Sequence, residues 1–262
     1  MTQLKSRRLT FVALVLLALV ALVCLALGRW QLERAAERRL LAENMQQARQ
    51  ALNVNLNDSP AATDARVNNW TPASVQGRWR GDLSVLIDNR NLDGRPGLWL
   101  ATPLMVDEGR AVLVLRGWLE RPLGSQASPV VFTSGERQQL EGELVEHVPR
   151  LFELFSFSKP PAFDLGFKAR PTAMVQADRV DTARLVRVQN VTLEQIAEQS
   201  GLVFMRGVLL QKSAAKDGLI RRWPEPSLDA DKNTGYALQW FAFAAICLSA
   251  LVAIAWRTRR KR

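Results

Sequence analysis

Two long apolar segments lie near the opposite ends of this chain. The first, residues 10–28, contains no charge, and the second, residues 236–256, has only Gln239 and Ser249 as polar interruptions after its first residue. A helix that crosses a hydrocarbon core of about 30 Å needs about 20 mostly apolar residues. The sequence therefore predicts two transmembrane helices, with residues 29–235 together on one side of a bilayer.

A cleaved signal peptide is the main alternative for the first segment, because Lys5, Arg7 and Arg8 precede it. The apolar run is longer than the usual hydrophobic region of about 7–15 residues, and no small-residue cleavage site follows it. Lipidation of Cys24 is disfavoured because this residue lies deep in the segment. We therefore predict an uncleaved membrane anchor.

The charges at the two ends predict the orientation. Residues 1–9 include three basic residues, residues 257–262 include five, and neither tail has an acidic residue. The rest of the chain has 27 basic and 25 acidic residues, so the tails account for most of the net charge of +10. Short cationic flanks stay in the cytoplasm, whereas long domains are translocated largely regardless of charge. The pattern predicts two cytoplasmic tails and an exported domain, and it gives no reason to expect nucleic-acid binding.

Cysteine and histidine usage restricts the chemistry of the exported part. Cys24 and Cys247 both fall in the apolar segments, so this part has neither a disulfide nor a cysteine metal site. His147 is the single histidine, which excludes a multi-histidine metal site and leaves one candidate for a Ser-His-Asp triad. We interpret His147 as a surface residue of a strand.

The exported part begins with a predicted helix. Residues 29–52 lack glycine and proline and are rich in helix-forming residues, so we expect the first helix to continue beyond the membrane. Thr192 and Gln195 form a capping-box pattern for a second, short helix, and Gly201 is its expected end.

Six strand-like segments lie between glycine, proline and asparagine breaks. They are residues 75–80, 83–88, 98–106, 111–119, 138–148 and 203–211. Their short spacing predicts an antiparallel sheet closed into a barrel or a sandwich. The predicted fold class is thus an α+β membrane protein, in which two transmembrane helices flank an antiparallel β-rich domain with one or two short helices.

Four short motifs follow one another along this layout. They are Leu27-Gly28-Arg29-Trp30-Gln31-Leu32-Glu33-Arg34, Leu98-Trp99-Leu100-Ala101-Thr102-Pro103-Leu104, Val112-Leu113-Val114-Leu115-Arg116-Gly117-Trp118 and Gly235-Tyr236-Ala237-Leu238-Gln239-Trp240-Phe241. Together they resemble the surfeit-locus family of cytochrome c oxidase assembly proteins. The resemblance implies a β-rich domain at the outer face of a bacterial inner membrane. It also implies help with haem a delivery to the catalytic subunit, no turnover chemistry, and oxidase subunits and haem a synthase as partners.

The last and first motifs supply a candidate haem site. Tyr236, Gln239 and Trp240 share one helix face at the outer end of the second span. Trp30, Gln31 and Arg34 lie at the matching depth of the first span, so helices packed side by side would form an aromatic slot. Rings could stack on a haem macrocycle, and Arg34 or Arg116 could pair with a propionate. Ordinary interfacial anchoring by Trp and Tyr is the alternative.

One position departs from the family pattern. Many members carry a histidine three residues before the motif tyrosine, where it is the natural axial ligand of haem iron, and this chain has Asn233 there. Tyr236 is an alternative ligand, since tyrosine ligates iron in some haem proteins. We expect haem binding to be transient and without histidine ligation, or absent.

The strand motifs are open to two interpretations. Arg116, followed by Gly117 and Trp118, either ties strands together inside the domain or docks a partner, and the same choice applies to Thr102 and Pro103. A buried arginine would need a carboxylate or several carbonyl partners. We interpret Arg90 and Gly97 as turn residues in the first place and as binding residues in the second.

Three function classes follow. An oxidase assembly factor that handles haem a is favoured, with the junction of domain and helices as its working surface. A structural scaffold that binds no haem is the second. An exported enzyme is disfavoured because the sequence has no nucleophile-elbow, P-loop or dinucleotide motif.

Overall fold

The computed structural model describes residues 2–58, 68–122, 129–149, 164–167, 175–176, 179–226 and 228–260. The chain divides into two compact units, one of Met1–Asn44 with Glu225–Arg262 and the other of Met45–Pro224. In chain order the elements are α1 (Thr2–Arg49), β1 (Val54–Asn55), β2 (Thr71–Trp79), β3 (Val85–Ile87), β4 (Gly97–Met105), β5 (Arg110–Glu120), β6 (Val130–Phe132), β7 (Gln138–Val145), β8 (Val175–Gln176), β9 (Arg179–Asp181), β10 (Arg187–Val188), α2 (Leu193–Ser200), β11 (Val203–Gln211) and α3 (Ala230–Arg260).

The first unit consists of most of α1 together with α3. Both helices contain an apolar stretch long enough to cross a membrane, judged by length and composition. α1 continues without a break through the apolar segment and ends at Arg49, three residues before the predicted end of the extension. α3 begins at Ala230, one to two turns before its apolar segment. Both helices therefore carry polar turns beyond their apolar parts.

Five strands of the second unit close into a barrel. The pairing runs β2–β7–β11–β5–β4, and β4 pairs again with β2 through Arg78 opposite Met105 and Trp79 opposite Leu104. Gly77 permits this closure, because a Cβ atom there would lie 2.3 Å from the Met105 carbonyl oxygen. Outside the ring, β1 adds to β2, while β3 and β10 extend the sheet from β4.

The predicted strands are all observed, but the antiparallel prediction is wrong in part. The sheet is mixed, because β1 pairs parallel to β2, β10 to β3 and β11 to β5. Hairpin spacing constrains only strands that are neighbours in sequence, such as β4 and β5, whose turn is closed by Asp107 accepting from Arg110 N at 2.8 Å. β11 reaches β5 after a long connection that includes α2, so nothing in the spacing constrained its direction.

Alternation along the strands divides the core into two faces. On β5, Val112 and Val114 point to the cluster inside the barrel, whereas Leu113 and Leu115 belong to a second cluster outside it. The inner cluster also contains other buried apolar residues: Leu56, Ala73, Val75, Leu104, Val106, Leu140, Leu144, Met205 and Leu209. α2 covers the outer cluster with Ile196.

The short helix α2 has the predicted caps. Gln195 N donates to Thr192 Oγ1 at 3.2 Å, and Thr192 N donates to Gln195 Oε1 at 2.9 Å. Gly201 ends the helix with a positive φ of 71°, a conformation that glycine adopts without steric cost. The capping-box prediction is confirmed.

The end of α1 lies in the second unit and is bound to β7. Arg49 Nε donates to Glu143 Oε1 at 3.0 Å, and Lys212 pairs with the same carboxylate. The Glu143 side chain is buried, so its charge depends on these two cations.

Candidate functional site

Small residues bring α1 and α3 together in the first unit. The buried positions of α1 include Ala21, Cys24, Gly28 and Ala35, and those of α3 are Ala230, Ala237 and Ala244. A Cβ atom on Gly28 would lie 2.7 Å from the Phe241 ring, so the helices are close at this level. Small residues allow such close approach between membrane helices. We call this contact surface the helix interface.

Polar contacts show that the two helices run antiparallel. Asn233 Nδ2 donates to Gln31 Oε1 at 2.7 Å, and Arg38 Nη1 donates to the Asp229 carbonyl at 2.9 Å. As residue numbers rise along α1, from Gln31 to Arg38, the numbers of their partners on α3 fall, from Asn233 to Asp229. The two chain ends therefore lie at the same end of the helix pair.

The predicted aromatic residues lie beside the helix interface and are largely exposed. Tyr236 is 53% exposed and Trp30 is 51% exposed, and Gln239 is also exposed. Trp240 is half-buried, and its ring meets that of Phe243 edge to face with centroids 6.1 Å apart. At this level Gly28 faces the ring of Phe241, while Trp30 and Tyr236 remain about half exposed.

The polar members of the predicted site have partners of two kinds. Gln31 and Asn233 are bonded to each other across the helix interface. Arg34 is exposed and pairs with Glu37 at 3.0 Å, a surface ion pair that is easily exchanged for another carboxylate. Arg34 is thus the accessible cation of this set.

A haem held through an imidazole does not fit these residues. The helices contain no histidine, and the Asn233 amide is bonded to Gln31. His147 follows the end of β7 with its side chain 73% exposed and Glu146 at 3.8 Å, which agrees with a surface residue. Tyr236 is the exposed oxygen donor of the set.

Arg116 lies at an irregularity in the pairing of β4 with β5. Leu100 is opposite Gly117 and Ala101 is opposite Leu115, so Arg116 has no opposite residue. Such a bulge redirects a side chain and bends the strand. Here the bulge lies at Arg116, whose side chain is almost completely buried.

The Arg116 guanidinium is bound inside the domain through its two terminal nitrogens. It donates to Thr133 Oγ1 at 2.6 Å, to the Phe132 carbonyl at 2.7 Å and to Asp217 Oδ2 at 3.2 Å. It also stacks 4.6 Å from the centroid of the Trp79 ring. Burial lowers the pKa of Arg116 to about 10, and Asp217 opposes this shift, so the group stays charged. Arg116 fits the structural interpretation and is not available to a propionate.

Asp217 is shared between two buried cations. Arg221 Nη2 donates to Asp217 Oδ2 at 2.5 Å, on the same oxygen that Arg116 binds. Leu219 N donates to the other oxygen at 3.2 Å. This carboxylate therefore ties the segment after β11 to the end of β5.

Trp118 completes this attachment. Its backbone exchanges hydrogen bonds with Ile220 at 2.8 and 2.9 Å, and its Nε1 donates to the Arg90 carbonyl at 2.6 Å. A Cβ atom on Gly97 would lie 2.1 Å from the same Nε1, so this position has to be glycine for the ring to fit. Gly97 thus has a packing role rather than the turn role predicted for it.

Arg90 is also more than a turn residue. It is 4% exposed and donates to the carbonyl oxygens of Pro149 and Gln189, both at 3.1 Å. Its guanidinium lies 4.7 Å from the Trp99 ring centroid. Burial lowers the pKa of Arg90 to about 10. The turn interpretation is corrected, since Arg90 connects three parts of the domain.

Thr102 and Pro103 mark the corner at which β4 changes partners. β4 pairs with β3 up to Ala101 and with β2 from Leu104 onward. A proline, which cannot donate a ladder hydrogen bond, is tolerated at such a corner. Thr102 Oγ1 lies 2.9 Å from Ser84 Oγ in the buried interior. Both residues have structural roles here.

A model of the SURF1 family matches residues 18–245. The chain belongs to the SURF1 family. This is the surfeit-locus family that the four motifs indicate, and the match includes all four of them. SURF1 membership implies a general role in oxidase assembly, and this is a family of assembly factors rather than of catalysts.

Relatives of the SURF1 type support the assignment. Uncharacterized SURF1-like proteins of Mycobacterium tuberculosis and Mycobacterium bovis are 25% identical over 243 residues, covering 89% of this chain and 78% of each relative. A SURF1-like protein of Rickettsia bellii is 33% identical over 102 residues, covering 37% of this chain and 39% of the relative. Together with two apolar terminal helices, the family fits a two-pass inner-membrane protein.

Sequence reasoning missed the small residues of the helix interface and the role of Asp217. Small residues recur every seven residues at Ala21, Gly28 and Ala35 and again at Ala230, Ala237 and Ala244, a spacing that could have indicated a helix pair. Asp217 lies in a polar stretch without strand pattern, and no signal in the sequence distinguishes it from a surface residue.

Proposed function

We propose that this protein assists maturation of a haem-copper cytochrome c oxidase by handling haem a as cargo for the catalytic subunit. The proposed surface consists of Trp30, Arg34, Tyr236, Gln239 and Trp240. The observation that supports it most is that Trp30 and Tyr236 are about half exposed at the polar end of the apolar helices, while Trp240 is half-buried. A haem is a flat apolar macrocycle with two carboxylates, and it suits stacking rings beside one accessible guanidinium.

The proposal does not need an iron ligand in this chain. Ring stacking and an ion pair between Arg34 and a haem propionate would give a short-lived complex. Such a complex is appropriate for a carrier that must release its cargo. We propose that both termini are cytoplasmic and that the barrel domain lies in the periplasm, because α1 begins and α3 ends at the same end of the helix pair and each of these ends is flanked by basic residues in the sequence. A reporter that is active only in the periplasm tests this orientation. It should be active when it is inserted between the two apolar helices and inactive when it is fused to either terminus.

Deletion of the gene tests the function. We expect lower oxidase activity and less haem a in the purified oxidase, while total haem a synthesis stays normal. Restoration by the full-length chain is the positive control. Normal haem a occupancy of the oxidase in the deletion strain would contradict the proposal.

A scaffold without haem is the second candidate. The engagement of Asn233 with Gln31 favours it, because the position of the family histidine is used for helix contact. Affinity purification from membranes in mild detergent separates the two candidates. Oxidase subunits that co-purify with a haem absorption spectrum support the carrier, and subunits without haem support the scaffold.

A further inference from the structure

The hydrogen bond between Gln31 and Asn233 lies on the helix interface. Both side chains are half-buried, and their 2.7 Å contact lies in the same stripe of each helix as buried Ala35 and Ala237. It is a short contact between neutral amides. Nothing in its chemistry indicates a ligand, so its effect must be on the helices themselves.

Apart from the contact of Phe241 with Gly28, the small residues of the helix interface do not specify one alignment. The small residues of α1 and of α3 both recur every seven residues: Ala21, Gly28 and Ala35 on α1, and Ala230, Ala237 and Ala244 on α3. A slip of seven residues, about 10 Å along a helix, would again place small residues opposite small residues. The alanines alone therefore do not select one alignment, whereas the Phe241 ring opposes a slip because it would then meet the Cβ atom of Ala21 or Ala35.

The other polar contacts between the helices are more adaptable. Arg39 reaches Thr234 at 3.1 Å and Asp231 at 3.8 Å with a side chain that is 57% exposed. Long exposed arginines can follow a slipped helix to new partners, and exposed ion pairs contribute little. The short Asn233 side chain cannot follow, and slippage would leave a half-buried amide without its partner.

We propose that the Gln31–Asn233 pair sets the register of the two membrane helices. A single polar pair at an otherwise apolar contact fixes alignment in other helix pairs, at a small cost in stability. The pair thereby determines which ring-bearing residues lie at the same level. This inference is independent of the proposed function, since it concerns helix alignment whether or not haem is carried.

The two native cysteines can report the register. Cys24 is 4% exposed on the helix interface, and Cys247 on α3 is half-buried. From the contact of Gly28 with Phe241, Cys24 lies four residues back and Cys247 six residues on, which is about 6 Å and about 9 Å in the same direction. These positions differ by about 3 Å along the helix axes, and a slip of seven residues would increase the axial offset to about 7 Å or about 13 Å, depending on its direction.

The experiment uses the full chain in native membranes with a protease site inserted between the two cysteines. A short bifunctional thiol reagent should leave the two fragments joined after cleavage. We expect Asn233→Ala and Gln31→Ala to lower the ratio of joined to unjoined chains by about threefold, the effect of an average interhelical hydrogen bond in a membrane. The exchange Gln31→Asn with Asn233→Gln should recover much of it, and Gln47→Ala, an exposed amide on α1, should have no effect.

The joined fraction is normalised to the cleaved chain in the same membranes, so lower abundance does not alter the reading. Wild-type chains that do not cross-link would overturn the proposal. So would single variants that cross-link as well as the wild type, or an exchange variant no better than either single variant.

Discussion

The motifs of the barrel and those of the helix pair differ in what surrounds their side chains. Arg116 and Trp118 are each 2% exposed and hold strands and the following segment together. Trp30 and Tyr236, from motifs of the same family, are about half exposed. A buried motif is explained by folding alone, whereas exposed rings need another reason. The comparison separates motifs that build the domain from those that are available to cargo, partners or lipid.

The largest effect should come from Asp217→Asn. This change leaves two buried guanidiniums, Arg116 and Arg221, without their shared carboxylate. Breaking a buried ion pair costs about 3–5 kcal/mol. We expect severe loss of the protein from membranes and a lower unfolding temperature in detergent. Asp93→Asn, which removes the exposed partner of Arg222, is the matched control and should behave as wild type.

Gly77→Ala should have the next largest effect. The added Cβ would meet the Met105 carbonyl at 2.3 Å, where β2 and β4 close the barrel. Overpacking of this kind costs about 1–3 kcal/mol. Gly109→Ala, at a turn with nothing within 4 Å of the new atom, is the control. Equal thermal stability of the two variants would show that the closure is not required.

Glu143→Gln should have a smaller effect. The change removes the charge that Arg49 and Lys212 share on the outer face of β7. Both cations are partly exposed and can turn to water, so the loss should be near the low end for a charged hydrogen bond, about 1–2 kcal/mol. Chemical unfolding of the purified chain measures it, with exposed Glu141→Gln as the control. A larger loss than for Gly77→Ala would mean that the end of α1 contributes more to the domain than the barrel closure does.

The sequence predicts the parts of this fold that depend on local pattern. The apolar helices, six strands and the capping box at Thr192 all follow from spacing and composition. The parallel pairing of β11 with β5 does not, because it joins segments that are distant in sequence. The partners of Arg116 could not be predicted from the sequence either, although its apolar surroundings indicated that it would need a carboxylate or carbonyl partners.

For the candidate site, the sequence predicts which rings share a helix face but not how the helices meet. The alignment depends on small residues and on one amide pair. The positions of the aromatic residues in the sequence predict neither feature. The difference between Arg34, exposed, and Arg116, buried, likewise appears only with the fold.

The most direct test of the account is oxidase maturation in cells that carry Tyr236→Ala with Trp240→Ala, measured relative to the amount of the protein in membranes. Leu238→Ala, an exposed apolar residue on the same helix, is the matched control. The account predicts normal abundance with several-fold lower oxidase haem a content and activity, and normal values for the control. Normal maturation at normal abundance in the double variant would contradict it and leave these rings as membrane anchors only.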